Sequence, residues 1–360
     1  MGRGIYTSSA AFRLSRFSRP YRQRLLAGLQ DLESFCHGQG PCSLAALLRN
    51  LNIADEVLSL YVMQRHVDPE KKQLYVVKHA LLCCQHVQPK LKGRINTAWE
   101  NLRVWEEQRT SSLRPPLPIP LWLLMVGLAR ARSSVIQSPS EKQRWQIFAT
   151  LLEVGVLCML RPGELLKLKH TDVSLPGGFT FSQPFAAIRV ANPKNRRQFG
   201  VDQFVLVKNP CTVQRLRDVV EERNDCALWK GGRILFSRMF KQVCKELGIS
   251  ECRFTPASLR PGGATMYCGR GIPISTLRFM GRWTVEKSLE HYIQLAMSTQ
   301  IMNRLSAPVI SRLKKLAPLC LEFVVPMNFV EKLQLFELTG NPSSSVIADW
   351  CARYAFYIFL

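Results

Sequence analysis

FTPASLRPGGATMYCGRGIPISTLRFMGRWTVEKSLEHYIQ, residues Phe254 to Gln294, is the stretch around which the rest of the chain is organised. Thr255 followed by Pro256 reads as an N-cap with proline at the first helical position, where the missing amide hydrogen costs nothing. A helix therefore starts just before Arg260. Gly269 to Gly271 ends it, and Ile274, Leu277, Phe279 and Met280 supply a short apolar patch before Gly281 stops the chain again. A following helix, opened by Thr284, carries Tyr292. A cation (Arg260), an exposed-type aromatic (Trp283) and a phenol (Tyr292), drawn from three short helices, can thus converge on one pocket.

At 360 residues the chain is long enough for two domains, each with its own core, and its 47% hydrophobic content argues for folded domains rather than disorder. Forty-nine Lys and Arg against 26 Asp and Glu leave a net charge of +23, with a pI near 9.9. Such an excess points to a polyanionic partner. Nucleic acid leads, ahead of an anionic membrane surface, and the clustering of charge next to candidate site residues disfavours a charge that serves solubility alone. A basic surface that only aids solubility is the bland alternative. The twelve cysteines contain no C-x-x-C pair, and the neighbours Cys83 and Cys84 are poorly placed to bridge each other. That argues against a zinc site or a disulfide framework and for reduced thiols in an intracellular protein, with the nucleus ahead of an organelle as its location. No run reaches the roughly 18 apolar residues a membrane helix requires, so no membrane partner is expected.

Residues 1–40 read as a basic N-terminal arm or targeting segment: the first 30 hold six arginines and no acidic residue. A transit peptide, an arm that tracks phosphates and a plain tail are all compatible with that composition. Residues 41–108 are helical throughout. Leu44, Leu47, Leu48 and Leu51 recur at helix spacing, as do Val57, Leu60 and Tyr61. Asp68-Pro69 signals a third helix with Leu74, Val77, Ala80 and Leu81 on one face, and a fourth runs from Ile95 through Trp99, Leu102 and Trp105. Residues 109–120, RTSSLRPPLPIP, read as a proline-rich linker. Beyond it, Leu121 to Arg132 and Ser140 to Leu160 read as long helices, the second buried over its later half and capped by Ser138 or Ser140. The period then changes. Val173 to Leu175, Phe179 to Phe181, Ala187 to Val190 and Phe204 to Val207 look like strands of a small antiparallel sheet. Helices return at Thr212 to Asn224 and Ser237 to Leu247, one or two more helices or strands follow Ala307-Pro308, and within a C-terminal tail of unknown role at 311–360 the residues from Leu321 carry no legible motif. The fold class is therefore mainly α with a small antiparallel sheet, preceded by an all-α four-helix domain.

Four places, taken in chain order, resemble the tyrosine recombinases of the phage-integrase type. LLEVGVLCMLRPGELLKL is similar to that family's first box and maps its arginine to Arg161 and its acidic residue to Glu164. The hairpin ending in NPKNRR resembles the turn that bears the family's lysine, here Lys194. TPASLRPGGAT resembles the second-arginine box and supplies Arg260. GRWTVEKSLEHYIQ places Trp283 nine residues before Tyr292, the family's spacing between its His-or-Trp position and its nucleophile, with the Trp of Cre-like members. The resemblance spans residues 43 to 305. It implies a helical core-binding (SAM-like) DNA-binding domain at 41–108, a catalytic domain at 121–310, a C-shaped clamp around double-stranded DNA, and a homotetramer on that DNA. One departure stands out: the family's His or Lys three residues before the second arginine is Ala257 here.

The resemblance implies a chemistry that needs neither metal nor cofactor. Tyr292 would attack the phosphorus and form a 3′-phosphotyrosyl bond, conserving bond energy for rejoining. Arg161 and Arg260 would clamp the phosphate with guanidinium forks. Lys194 would protonate the leaving oxygen, and Trp283 would donate its indole N–H. Glu164 would orient Arg161, and His291 would partly stand in for the donor lost at Ala257. Lys90, Lys92 and Arg94 between helices, with Arg196 and Arg197 in the hairpin turn, would meet DNA phosphates. Each has a duller reading taken alone. Arg161 can simply pair with Glu164, Arg260 can be a surface cation, and Trp283 and Tyr292 can be packing aromatics. Lys194 and its neighbours can be a solvated basic turn, His291 a surface residue. A catalytically impaired DNA-binding remnant of a mobile-element integrase and a type IB topoisomerase-like nicking and closing enzyme are the alternative functions.

Overall fold

The computed structural model of the chain describes residues 9–38, 41–67, 74–108, 114–177, 184–221 and 225–324. The chain divides into two units, residues 1–112 and 113–360. Asp68-Pro69, the first part of the proline-rich linker and the strand expected at Phe179 to Phe181 lie outside the described residues.

The first unit contains α1 (Ser9–Ser15), α2 (Arg19–Gly38), α3 (Leu44–Arg49), α4 (Ala54–Val67), α5 (Leu74–Val87) and α6 (Asn96–Gln108). Ser43 caps α3 by accepting a hydrogen bond from the Ala46 amide at 3.2 Å. Its core joins Leu32, Phe35 and Cys36 to Leu58, Tyr61, Val77, Leu81, Leu102 and Trp105. The expected basic arm is therefore corrected over residues 19–38: α2 is a core helix. It lies close on α5, since a Cβ at Gly28 would stand 2.5 Å from the Ala80 nitrogen. Its one acidic residue at the core, Asp31, is buried, accepting from the Tyr61 hydroxyl at 2.7 Å and pairing with Arg65 at 3.1 Å. A buried charge held by two partners avoids most of its desolvation cost. Between α5 and α6 a 3-10 turn at Pro89–Leu91 is pinned by the buried Leu91, leaving Lys90, Lys92 and Arg94 exposed.

The second unit opens with α7 (Ile119–Val135) and α8 (Pro139–Leu157), which pack together and share a hydrogen bond from the Trp122 indole to the Leu152 carbonyl at 3.1 Å. Every residue from Phe148 to Leu157 is buried, as the all-round apolar pattern predicts. Ser138 occupies the N-cap position of α8, but its hydroxyl makes no cap hydrogen bond and lies 3.3 Å from that of Ser140 instead. After α9 (Pro162–Leu165) come β1 (Val173–Ser174) and β2 (Ala186–Ala191), then a helical turn α10 (Arg196–Phe199), β3 (Asp202–Val207), α11 (Pro210–Val219) and α12 (Gly232–Leu247). The three strands form an antiparallel sheet in the order β1-β2-β3, with Ile188 opposite Val205. Ala186, Ile188, Val190, Val205 and Val207 point into the core by the period-two rule. The architecture is mainly α with a small antiparallel sheet.

The remaining described elements are α13 (Leu259–Gly269), α14 (Ile274–Met280), α15 (Glu286–Glu290), α16 (Leu295–Asn303) and α17 (Ala307–Glu322). α17 is a helix where one or two more helices or strands were expected after Ala307-Pro308, and it runs into the tail set apart from residue 311. α17 lies against α7 so closely that a Cβ at Gly127 would stand 2.0 Å from the Cys320 carbonyl oxygen, and Leu313, Cys320 and Val324 join the core. Pro318 lies inside this helix.

Candidate functional site

The site grows out of the end of α8. The chain leaves that helix through Met159, a non-glycine residue in the left-handed region at φ 48°, and turns into α9 with Arg161 as its N-cap residue and Pro162 at the first position. The Glu164 carboxylate closes this turn on itself. It accepts from the Arg161 amide at 3.1 Å and from Arg161 Nη1 at 2.7 Å. The dull reading of Arg161 is thus part of the structure, although its side chain keeps 27% of its surface exposed.

α13 brings the second arginine against this turn. Thr255 and Pro256 start a 3-10 turn whose Ser258 hydroxyl accepts from the Thr255 amide at 3.2 Å, and α13 follows directly. Two glycines then let the helix approach its neighbours: a Cβ at Gly263 would stand 2.2 Å from the Val156 carbonyl oxygen, and one at Gly262 would stand 2.7 Å from that of Leu117. Arg260 is consequently buried, 2% exposed, and its two terminal nitrogens donate to main-chain carbonyls, Nη1 to Met159 and Nη2 to Gly281 at 2.7 Å. It is no surface cation.

The third strand of the site is the turn after α14. Trp283 lies under the Arg260 guanidinium, 4.1 Å from its ring centroid, and Tyr292 lies 5.4 Å from the same guanidinium and 5.4 Å from the Trp283 ring. Cation–π attraction favours this stacking. Trp283 is 4% exposed, so the exposed-type aromatic of the sequence reading is a buried one. Tyr292 does not sit on the expected helix opened by Thr284: α15 ends at Glu290, and Tyr292 occupies the turn beyond it, half-buried. Thr265 on α13 fixes that turn, its hydroxyl donating to the Tyr292 carbonyl and accepting from the Gln294 amide, both at 3.1 Å.

One member of the cluster went unread in the sequence. Arg282, between Gly281 and Trp283, adopts φ 56° and is 6% exposed, and its Nη2 meets Glu164 Oε2, the oxygen that also accepts from the Arg161 amide, at 2.9 Å across 118 residues of chain. Its carbonyl accepts from Asn195 Nδ2 at 2.7 Å, and Asn195 is steadied in turn by Gln203 at 3.2 Å. The hairpin turn carrying Lys194 is thereby tied to the site. Lys194 itself is exposed and, among the described residues, shows no hydrogen bond or ion pair to the cluster. The only hint of Arg282 in the sequence was a charge enclosed by Gly and Trp.

Arg161, Glu164, Arg260, Trp283 and Tyr292 therefore come together, with Lys194 on an adjoining turn. His291 does not join them: it is exposed, and its main-chain carbonyl accepts from Gln294 Nε2 at 2.6 Å. Arg196 is exposed in the hairpin turn, the Arg197 side chain lies outside the described residues, and Lys90, Lys92 and Arg94 belong to the first unit.

Charge in the cluster is unbalanced. Burial, then the neighbouring Arg161 cation, pushes the Arg260 guanidinium down to about 9, a shift that Glu164 opposes and Arg282 reinforces, so it stays charged at neutral pH. For Glu164, burial disfavours the carboxylate, but Arg282 and Arg161 together outweigh it and hold the pKa below the ordinary carboxylate value. Several buried donors also lack a hydrogen-bond partner among the described residues: Arg260 Nε, Arg282 Nε and Nη1, and Trp283 Nε1. Buried N–H groups are normally satisfied, so donors gathered around surplus positive charge fit an anion.

No protein-family model matches the chain, and no curated protein does. Among solved structures, the chain is similar to XerH site-specific recombinase bound to palindromic difH substrate, a post-cleavage complex, at 14% identity and TM-score 0.41, covering 80% of this chain and 97% of that one. The pre-cleavage XerH complex with difH substrate gives 14% identity and TM-score 0.40, covering 77% and 94%. XerA recombinase gives 16% identity and TM-score 0.36, covering 86% and 98%. Likeness at this level does not assign the chain to a family, and a functional reading rests on the residues of the site.

Proposed function

We propose that this chain is a site-specific DNA recombinase that cleaves and rejoins duplex DNA through a 3′-phosphotyrosyl intermediate on Tyr292. The observation that carries the reading is the gathering of Tyr292, Trp283 and Arg260 into one stack beside the Arg161–Glu164 turn. Tyr292 attacks the phosphorus as its hydroxyl proton passes to solvent, the O–P bond forms as the P–O5′ bond breaks, and the departing oxygen takes a proton from Lys194. Arg161, the more exposed of the arginines, holds the non-bridging oxygens, and the surplus charge around Arg260 stabilises the charge that develops on them. Rejoining is the same sequence in reverse with a different 5′ hydroxyl. A homotetramer synapsing two DNA sites is part of the proposal.

A second reading has its own support. Both terminal nitrogens of Arg260 are spent on main-chain carbonyls and position 257 is alanine, which favours a DNA-binding protein with impaired cleavage. Incubation with a nicked suicide duplex separates the two. Strand exchange requires a covalent protein–DNA adduct that Tyr292→Phe abolishes while DNA affinity is kept. DNA binding without any adduct would sink the recombinase reading and leave the impaired one, and relaxation of supercoils without recombinants would indicate a nicking and closing enzyme.

A further inference from the structure

Beyond the residues that the recombinase scheme employs, Arg282 is the least explained charge in the chain. It is buried, yet its side chain is tied at only one nitrogen: Nη2 meets Glu164 at 2.9 Å, while Nε and Nη1 have no partner among the described residues. Its backbone stands at φ 56°, a conformation that glycine adopts freely and that strains a residue with a side chain. An arginine held there against that cost, with its carbonyl anchored by Asn195, is placed rather than accommodated.

Its surroundings lack negative charge. Glu164 already serves Arg161 through its other oxygen, and Arg260 adds a third guanidinium. The nearby Cys158 thiol supplies no anion, because burial pushes it up to about 12 even with Arg282 pulling the other way. Two buried guanidiniums and the partly exposed Arg161 against one carboxylate leave a surplus of positive charge that a bound anion would balance. The donors left over, on Arg282, on the adjacent Trp283 indole and on Arg260, are the kind that surround an oxyanion.

We propose that Arg282 is a third guanidinium of the anion site, ligating a tetrahedral phosphate oxyanion and supplying the donor that alanine at position 257 cannot give. Its part in strand cleavage rests on the recombinase reading above; its part in oxyanion binding does not. The test uses the full chain and inorganic phosphate. Phosphate at millimolar concentration raises the melting temperature beyond what chloride of equal ionic strength does, Arg282→Gln loses most of that rise, and Arg282→Lys keeps part of it. Because removing a buried charge can impair folding, the Arg282 Nε–H resonance of the unmutated chain, assigned by its loss in Arg282→Lys, is followed as phosphate is added. Movement of that signal supports the proposal; a fixed signal overturns it, as does wild-type stabilisation of Arg282→Gln by phosphate. On the nicked duplex, Arg282→Gln forms adduct about 10²-fold more slowly, the cost of one lost oxyanion donor. Adduct formation at the unmutated rate overturns the proposal and leaves the recombinase reading standing. Phosphate binding through Arg282 with no adduct from the unmutated chain does the reverse.

Discussion

Glu164 does more than orient one arginine, since each of its oxygens holds a different guanidinium. Its pKa is lowered in the folded chain, so its pairing contributes stability that is present above the unfolded-state value and is lost as the pH falls through the lower folded value. Acid titration of folding, followed by circular dichroism, should therefore show a loss of stability below about pH 4.3 that Glu164→Gln flattens. At neutral pH the same substitution should destabilise the chain by about 3 kcal/mol, because it leaves the buried Arg282 and the partly exposed Arg161 without their counter-charge. Arg282 explains why sequence reasoning stopped short of this network. The pair Arg161 and Glu164 is legible at a spacing of three, whereas nothing local marks a pairing made 118 residues away.

The close approach of α13 to α8 is legible in the sequence as Gly262-Gly263 after the arginine, and it is what carries Arg260 into the core. Gly263→Ala would place a methyl 2.2 Å from the Val156 carbonyl oxygen. It should cost about 1–3 kcal/mol by overpacking, read as a lower urea midpoint with an unchanged slope. Arg260 would move with the helix, so phosphate stabilisation should fall too. The sheet was legible from its period-two pattern and turn residues at β2 and β3. α15 was less so: the expected helix stops at Glu290, which leaves Tyr292 in a turn held by Thr265 rather than on a helical face. α2 was hidden by composition. Its basic residues suggested an arm, while Leu32, Phe35 and Cys36 at helical spacing decide its packing.

Across the whole molecule the excess of basic residues calls for a polyanion, and exposed cations stand in both units, at Lys90, Lys92 and Arg94 and at Lys194 and Arg196. Affinity for duplex DNA should fall steeply with salt, and replacing Lys90, Lys92 and Arg94 together by Ala should reduce the slope of log affinity against log salt by up to about 0.9 for each phosphate no longer neutralised. Fluorescence anisotropy across a salt series measures it. A different consequence follows from α17. Arg215, which pairs with the buried Glu153 at 2.9 Å, also donates to the Phe323 and Val324 carbonyls at 3.0 and 2.6 Å, so the end of that helix is fastened to the middle of the second unit. A gene copy interrupted by a stop codon between Arg304 and Ala307 would still encode every residue from Arg161 to Tyr292. Its product would lack the cover over Gly127 and two acceptors of Arg215, leaving that arginine its pair with Glu153. Intact site residues are thus not sufficient for the fold; the chain has to run through Val324.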